Sequence, residues 1–188
     1  MLKNIKNFLT CFSGILLLSA CASSAPLYSY DSKNRIFSDS LSQETYNTLL
    51  SFLARYSTTG LKDTLIIKYD YNNESCWNTL DQMSDDYIQK TIAAHTQRVQ
   101  QVLAKRKNIS AFDFREPGNN MNKLKKWDRN IIIDSSNTLL NLIFKDRSRC
   151  GNSMIVLPDK QFVFLRSDPH ADALDLSQAQ ITSYLLKK

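Results

Sequence analysis

A short apolar run, Leu9 to Leu18, stands near the start of the chain, behind a basic segment carrying Lys3 and Lys6 and ahead of Ser19, Ala20 and Cys21. It is well short of the roughly 20 apolar residues needed to span a bilayer. A basic start, a short apolar run and small residues before a cut site make the pattern of a secretory signal. This feature constrains everything after it. The folded part must come from the residues that follow, and it must fold outside the cytosol, where disulfides persist.

The segment Leu18-Ser19-Ala20-Cys21 resembles the lipobox of bacterial lipoproteins. That resemblance implies cleavage before Cys21, a diacylglycerol thioether and fatty acyl chains such as palmitate on that cysteine, and a membrane anchor at the new N-terminus. Ala22 follows, where an Asp would hold such a protein at the inner membrane, so the resemblance implies an outer-membrane lipoprotein facing the periplasm. The chain carries 24 Lys and Arg against 18 Asp and Glu, a formal charge of +6. A basic balance raises nucleic acid as a partner, but an exported lipoprotein rarely meets any. Anionic headgroups, cell-wall polymers or a plain solvated surface fit the charge better, and no nucleic-acid partner is expected.

Of the four cysteines, Cys11 leaves with the signal and Cys21 takes the lipid, which leaves Cys76 and Cys150. An even pair in an oxidising compartment is most simply a disulfide. The loop it closes, about 75 residues, is worth roughly 4 kcal/mol in the chain-entropy account. A bond of that worth suits a structural role, and redox chemistry stays open beside it.

The remaining pattern divides into residues 1–20 as signal, 21–39 as a lipidated tether and 40–188 as one domain. Residues 22–39 are polar and without period, as tethers are. Leu41, Thr45, Leu49, Phe52, Leu53 and Tyr56 then recur at helical spacing, with Gly60 as a stop. Thr64 to Tyr71 is β-branched and aromatic and reads as a strand. Asn72 to Ser75 breaks it, with Cys76 and Trp77 just past the break. A long helix follows from about Ser84 to Lys107, acidic at its start and basic at its end, in accord with the helix dipole. Ile109 to Arg115 is a second strand. Asn119 to Asp128 is a short basic helix or loop, and Asn130 to Asp134 a third strand. Ser135 and Ser136 are expected to cap a helix through Phe144. Ser153 to Leu157 and Gln161 to Arg166 form a hairpin about Pro158-Asp159-Lys160. Leu176 to Leu186 is a closing helix with Ala179, Ile181 and Leu185 facing in.

This order predicts an α/β fold, a central mixed sheet with flanking helices. From Thr64 onward the chain resembles the thioredoxin-like superfamily, nearest to its redoxin and TlpA-type branch. The resemblance lies in the strand-loop-cysteine-helix of Leu65 to Leu80, in Ile131 to Leu139, and in the hairpin Met154 to Val163. It implies that Cys76 holds the family's nucleophile position at the start of the first long helix, where a helix N-terminus lowers a thiol pKa. Thr79 stands where the second cysteine of a Cys-x-x-Cys belongs, and Gly151 or Asn152 where the family keeps a cis-proline. It also implies that Cys150 lies near Cys76.

Other chemistry is poorly served. With four glycines the chain has no phosphate loop and no nucleophile elbow. His95, on the apolar side of the long helix, reads as a partly buried structural histidine, and His170 as a loop residue. No metal site and no cofactor are expected. Lys123, Lys125, Lys126 and Arg129 around Trp127 read as a solvated face, with a polyanion or membrane surface as the sharper reading. Two functions follow. One is a non-enzymatic accessory or binding component of an envelope assembly, membrane-bound through its lipid. The alternative is a periplasmic thiol-disulfide oxidoreductase using Cys76 with Cys150.

Overall fold

The computed structural model describes residues 34–119 and 122–187. Cys11, Cys21, the expected signal and most of the expected tether lie outside the described residues. The strand at the centre, Thr64–Asp70 (β2), is buried along its whole length. Its composition explains why. Leu65, Ile67 and Tyr69 point to one face and Ile66 to the other, so both faces need cover. The second expected strand, Ile109–Arg115 (β3), lies parallel beside it, Thr64 opposite Ile109 and Asp70 opposite Arg115. On its other side β2 pairs antiparallel with Gly151–Val156 (β5), which turns back at Pro158 into Gln161–Leu165 (β6).

Two strands complete the sheet. Ile36–Ser40 (β1) pairs antiparallel with β6, Ile36 opposite Leu165. The tether expected to reach Asp39 therefore stops short of Ile36: Phe37 packs on Phe164 at 5.1 Å and edge-on to Phe162 at 5.9 Å. The third expected strand shrinks to Ile132–Ile133 (β4), pairing with β3 only at Phe114 and Arg115. The order is β1-β6-β5-β2-β3-β4, mixed parallel and antiparallel.

Helices cover both faces, as an α/β reading requires. Gln43–Ala54 (α1), capped by Ser42, sends Leu49, Phe52 and Leu53 into one core with Leu65, Ile67, Tyr69 and Tyr71. The short helix Thr138–Leu142 (α5) packs Leu139 into the same core. On the other face, Asp85–Lys105 (α3) brings Val99, Val102 and Leu103 onto Ile66 and Ile109. Gln178–Leu185 (α6), started by a capping box at Ser177 and Gln180, adds the fully buried Ile181. Leu185 is half-buried, but Ala179 is exposed, contrary to the expected inward face. Ser75–Asp81 (α2) and Asn122–Trp127 (α4) pack at the start of α3, where Trp77, Ile88 and Leu124 form a third cluster with Cys150. Among the described residues no helix is long and apolar enough to cross a membrane.

The start of α5 departs from expectation. Ser135 and Ser136 do not cap it. The fully buried Asp134 carboxylate accepts from the backbone N–H of Thr138 (2.8 Å) and of Leu140 (3.0 Å), and from the Tyr69 hydroxyl (3.3 Å). Asp134 thus ties the helix to the centre of the sheet. Burial and the neighbouring Asp134 carboxylate push the Tyr69 hydroxyl pKa well above its ordinary value, so it stays a donor. Replacing Asp134 with Ala leaves three donors without this acceptor, at about 1 kcal/mol or more each where burial keeps water away. Asp134→Ala is expected to lose roughly 2–4 kcal/mol in denaturant unfolding, with α5 the first helix to lose hydrogen-exchange protection.

Candidate functional site

The polar chemistry of the domain gathers where β2 and β3 end. Period-two alternation puts Ile66, Lys68 and Asp70 on one face of β2, and Ile109, Ala111, Asp113 and Arg115 on the same face of β3. Parallel register sets Lys68 opposite Asp113 and Asp70 opposite Arg115. The face is therefore apolar at its start, under the second half of α3, and charged at its finish, under α2 and the first half of α3.

Lys68 lies between two carboxylates. Its ammonium pairs with Asp70 and lies 3.5 Å from Asp113, with the Trp77 ring 5.2 Å away on another side. His95, from α3, places Nε2 2.7 Å from the second Asp113 oxygen. Burial opposes the charge on Lys68, but Asp113 and Asp70 outweigh it and raise its pKa. Burial likewise pushes both carboxyls upward. At Asp113 the opposing pull of Lys68 and His95 wins, and its pKa falls below the usual carboxylate range. At Asp70 burial, helped by repulsion from Asp113, prevails over Lys68 and lifts the pKa to about 6. Burial alone lowers the pKa of Arg115, with Asp70 and Asp81 pulling it back.

The cysteines stand at the rim of this cluster. Cys76 is the second residue of α2, not the start of the long helix: Gln82 to Ser84 separate α2 from α3. It is disulfide-bonded to Cys150, the residue before β5, with the two Cα atoms 5.8 Å apart. The Cys150 backbone is in the left-handed region, φ 73°, a conformation that costs a non-glycine residue about 1 kcal/mol or more. Surrounding contacts hold it there. Its carbonyl accepts from Trp77 Nε1 (2.7 Å) and from the Tyr71 N–H (3.1 Å), and its N–H donates to Glu74 (3.4 Å). Cys150 is 5 % exposed and Cys76 half-buried. Gly151 follows under constraint. A Cβ there would lie 2.6 Å from the Tyr69 carbonyl and 2.7 Å from the Asp70 carboxylate, so only glycine lets β5 close on β2 at this point.

A groove of about 440 Å³ adjoins the cluster. It exists because β4 stops at two residues and leaves Ile109 to Asp113 without a strand partner on that side. Lys68, His95 and Asp113 line its inner end, with Val99 on one flank and Tyr56 and Phe112 on the other. No family model, curated protein or solved structure matches the chain. The site must therefore be read from its own geometry.

That geometry brings Cys76 and Cys150 together and puts Thr79 one turn along α2. His95 has a carboxylate partner. His170 sits in the turn after β6, where its backbone carbonyl accepts from Arg98. Among the described residues no group of three or more His, Cys, Asp or Glu side chains is placed to hold a metal ion. Lys123 on α4 is half-buried, while Lys125 and Lys126 on α4 and Arg129 just after it are exposed. Sequence reading passed over Lys68, Asp70 and Asp113. The signal was there: charged residues at alternate positions inside strands otherwise built to be buried.

Asp70 gives the site a pH signature. Its carboxyl holds a proton more tightly folded than unfolded, where its pKa is about 3.9. Its contribution is thus full below about pH 4 and is lost as pH rises through about 6. Asp113, with a lowered pKa, works the other way and loses its contribution on acidification. Between about pH 4 and pH 6, wild type should lose up to about 3 kcal/mol of stability relative to Asp70→Asn. Parallel stability curves for the two proteins across that window would show that Asp70 ionises as it does in water.

Proposed function

We propose that the chain is a lipid-anchored envelope protein with a degenerate thioredoxin-like domain, a non-enzymatic accessory or binding component of an envelope assembly. The observation that carries the reading is the Cys76–Cys150 bond itself. It uses both cysteines that remain beyond Cys21, spans 74 residues of sequence, and fastens the start of α2 to the start of β5. Its Cys150 half is buried under Trp77, with both backbone polar groups of that residue engaged. Such a bond holds two loops in place, and the groove on the far side of Lys68 and Asp113 offers a surface on which a partner can bind. The anchor reading draws on the lipobox-like Leu18 to Cys21 and the small, basic segment around it. The thioredoxin-like reading draws on a parallel β2–β3 pair joined through helices, an antiparallel β5–β6 hairpin on the far side of β2, and a closing helix. Ala22 supports sorting to the outer membrane, with the domain in the periplasm.

One observation favours the alternative, a thiol-disulfide oxidoreductase. Cys76 is the more exposed residue of the pair and lies in the first turn of α2, where a thiolate is favoured. In that chemistry a substrate thiolate attacks the Cys76 sulfur, forms a mixed disulfide and releases Cys150 as thiolate. A second substrate thiolate then attacks the substrate sulfur of the mixed disulfide, which yields the oxidised substrate and Cys76 as thiolate. The absence of a cysteine at Thr79 and the place of Cys150 in the left-handed loop tip the balance toward the structural role.

A redox titration with mass-spectrometric mapping decides between them. The structural reading expects a potential below about −300 mV and unfolding on reduction. A markedly higher potential, with Cys150→Ser trapping mixed disulfides through Cys76, would replace it with the enzyme.

A further inference from the structure

The outer face of α4 and the start of α3 combines features that a solvated surface does not need. Trp127 is 37 % exposed, Tyr87 53 % and Met83 38 %, three of the five large exposed apolar side chains of the described domain. Around them stand Lys90, Lys123, Lys125, Lys126 and Arg129. Three carboxylates stand among them, and one of these, Asp81, accepts from the Lys123 backbone N–H at 2.8 Å. Asp85 lies 3.8 Å from Lys123 and 3.5 Å from Lys126, and Asp86 bonds Lys90 at 2.8 Å. Lys123 also donates to the Met83 carbonyl at 2.8 Å, which fixes its stem along that residue. Lys126 lies over the Trp127 ring at 4.5 Å. The face keeps a positive excess, and Lys125 and Arg129 are exposed, with no carboxylate within ion-pair range among the described residues.

Exposed Trp and Tyr beside lysines suit the boundary between water and lipid. The rings sit at headgroup depth, while lysine stems lie along apolar surface with the charge outward. Charge complementarity points to phospholipids with negative headgroups, which attract each nearby Lys or Arg.

Topology puts the face in reach of a membrane. Ile36 lies opposite Leu165, Leu165 opposite Ser153, and Ser153 opposite Lys68. The chain therefore enters the domain at the end of the sheet where β2 and β3 finish, the end at which α4 follows β3. An N-terminal anchor and the basic aromatic face lie at the same end of the strands, toward opposite edges of the sheet.

We propose that this face docks the domain onto an anionic phospholipid surface. The proposal rests on the anchor reading for the nearness of a membrane, but its charge and exposed rings stand without it. The lipid on Cys21 would hold only the N-terminus at the membrane, and a basic aromatic face would set how the domain lies against it.

Flotation of the full chain tests it, with vesicles of phosphatidylcholine alone and of phosphatidylcholine mixed with phosphatidylglycerol. At low salt the mixed vesicles should bind roughly tenfold more tightly, and Lys125→Gln with Lys126→Gln should abolish most of that preference. High salt should do the same. Trp127 emission should shift to the blue on mixed vesicles only. The chain's other tryptophan, Trp77, is 7 % exposed and supplies no such change. Equal binding to both vesicles, or a double variant that behaves as wild type, overturns the proposal and leaves the N-terminal anchor intact. A headgroup preference that persists when mass spectrometry finds no lipid on Cys21 overturns the anchor and leaves the docking face. Tighter binding to heparin than to the mixed vesicles, through the same two lysines, makes the face a soluble-polyanion site and overturns the membrane assignment.

Discussion

The ammonium of Lys68, held between Asp70 and Asp113, is the interaction on which the charged end of the sheet depends. A charge taken out of water costs several kcal/mol unless it is paired and hydrogen-bonded. Here one cation serves two carboxylates from neighbouring strands, and His95 serves the second of them from a helix. The arrangement holds only if β2 and β3 keep their register, because a slip of one residue turns Lys68 toward the apolar core under α1. The same cluster explains why α2 and α3 pack where they do. Trp77 supplies the ring face beside Lys68, and its indole N–H turns away to the Cys150 carbonyl. The disulfide, the aromatic lid and the buried charges therefore form one unit.

Much of the sheet was legible because its inner strands have one dominant signal. Thr64–Asp70 and Ile109–Arg115 are β-branched, aromatic and bounded by breakers, and the hairpin about Pro158 carries its own turn chemistry. Where several weak signals compete, sequence says less. Ile36–Ser40 has only two apolar residues and owes its strand to the edge that β6 offers, which no local pattern reports. Residues 75–81 are too short for a helical period, so α2 merged with the loop before α3. Ser135 and Ser136 are good capping residues, yet Asp134, buried and already bonded to Tyr69, reaches the same N–H groups first. The candidate site was half legible. Two leftover cysteines point to each other by arithmetic alone. The partnership of His95 with Asp113 and the groove beside β3 come from tertiary packing and from where β4 stops.

Cys150 shows how one residue can serve three demands. It closes the disulfide, takes the left-handed turn that brings β5 alongside β2, and offers a carbonyl to both Tyr71 and Trp77. Gly151, pressed against Tyr69 and Asp70, lets the next residue come as close. A loop so heavily determined is a fixed support for whatever binds beside it.

The place where the chain enters has a mechanical consequence. A pull on the segment ahead of Asn34 reaches the domain through β1, a five-residue edge strand laid against β6. Arg35 pairs with Asp172 at 2.8 Å, and Arg166 donates to the Asn34 carbonyl at 3.0 Å, so load is shared with two other parts of the chain at the first residues it meets. The central strands and the disulfide lie beyond β6 and β5 from that point. Edge pairing can yield under force as a fuse does, while the charge cluster and the groove keep their shape.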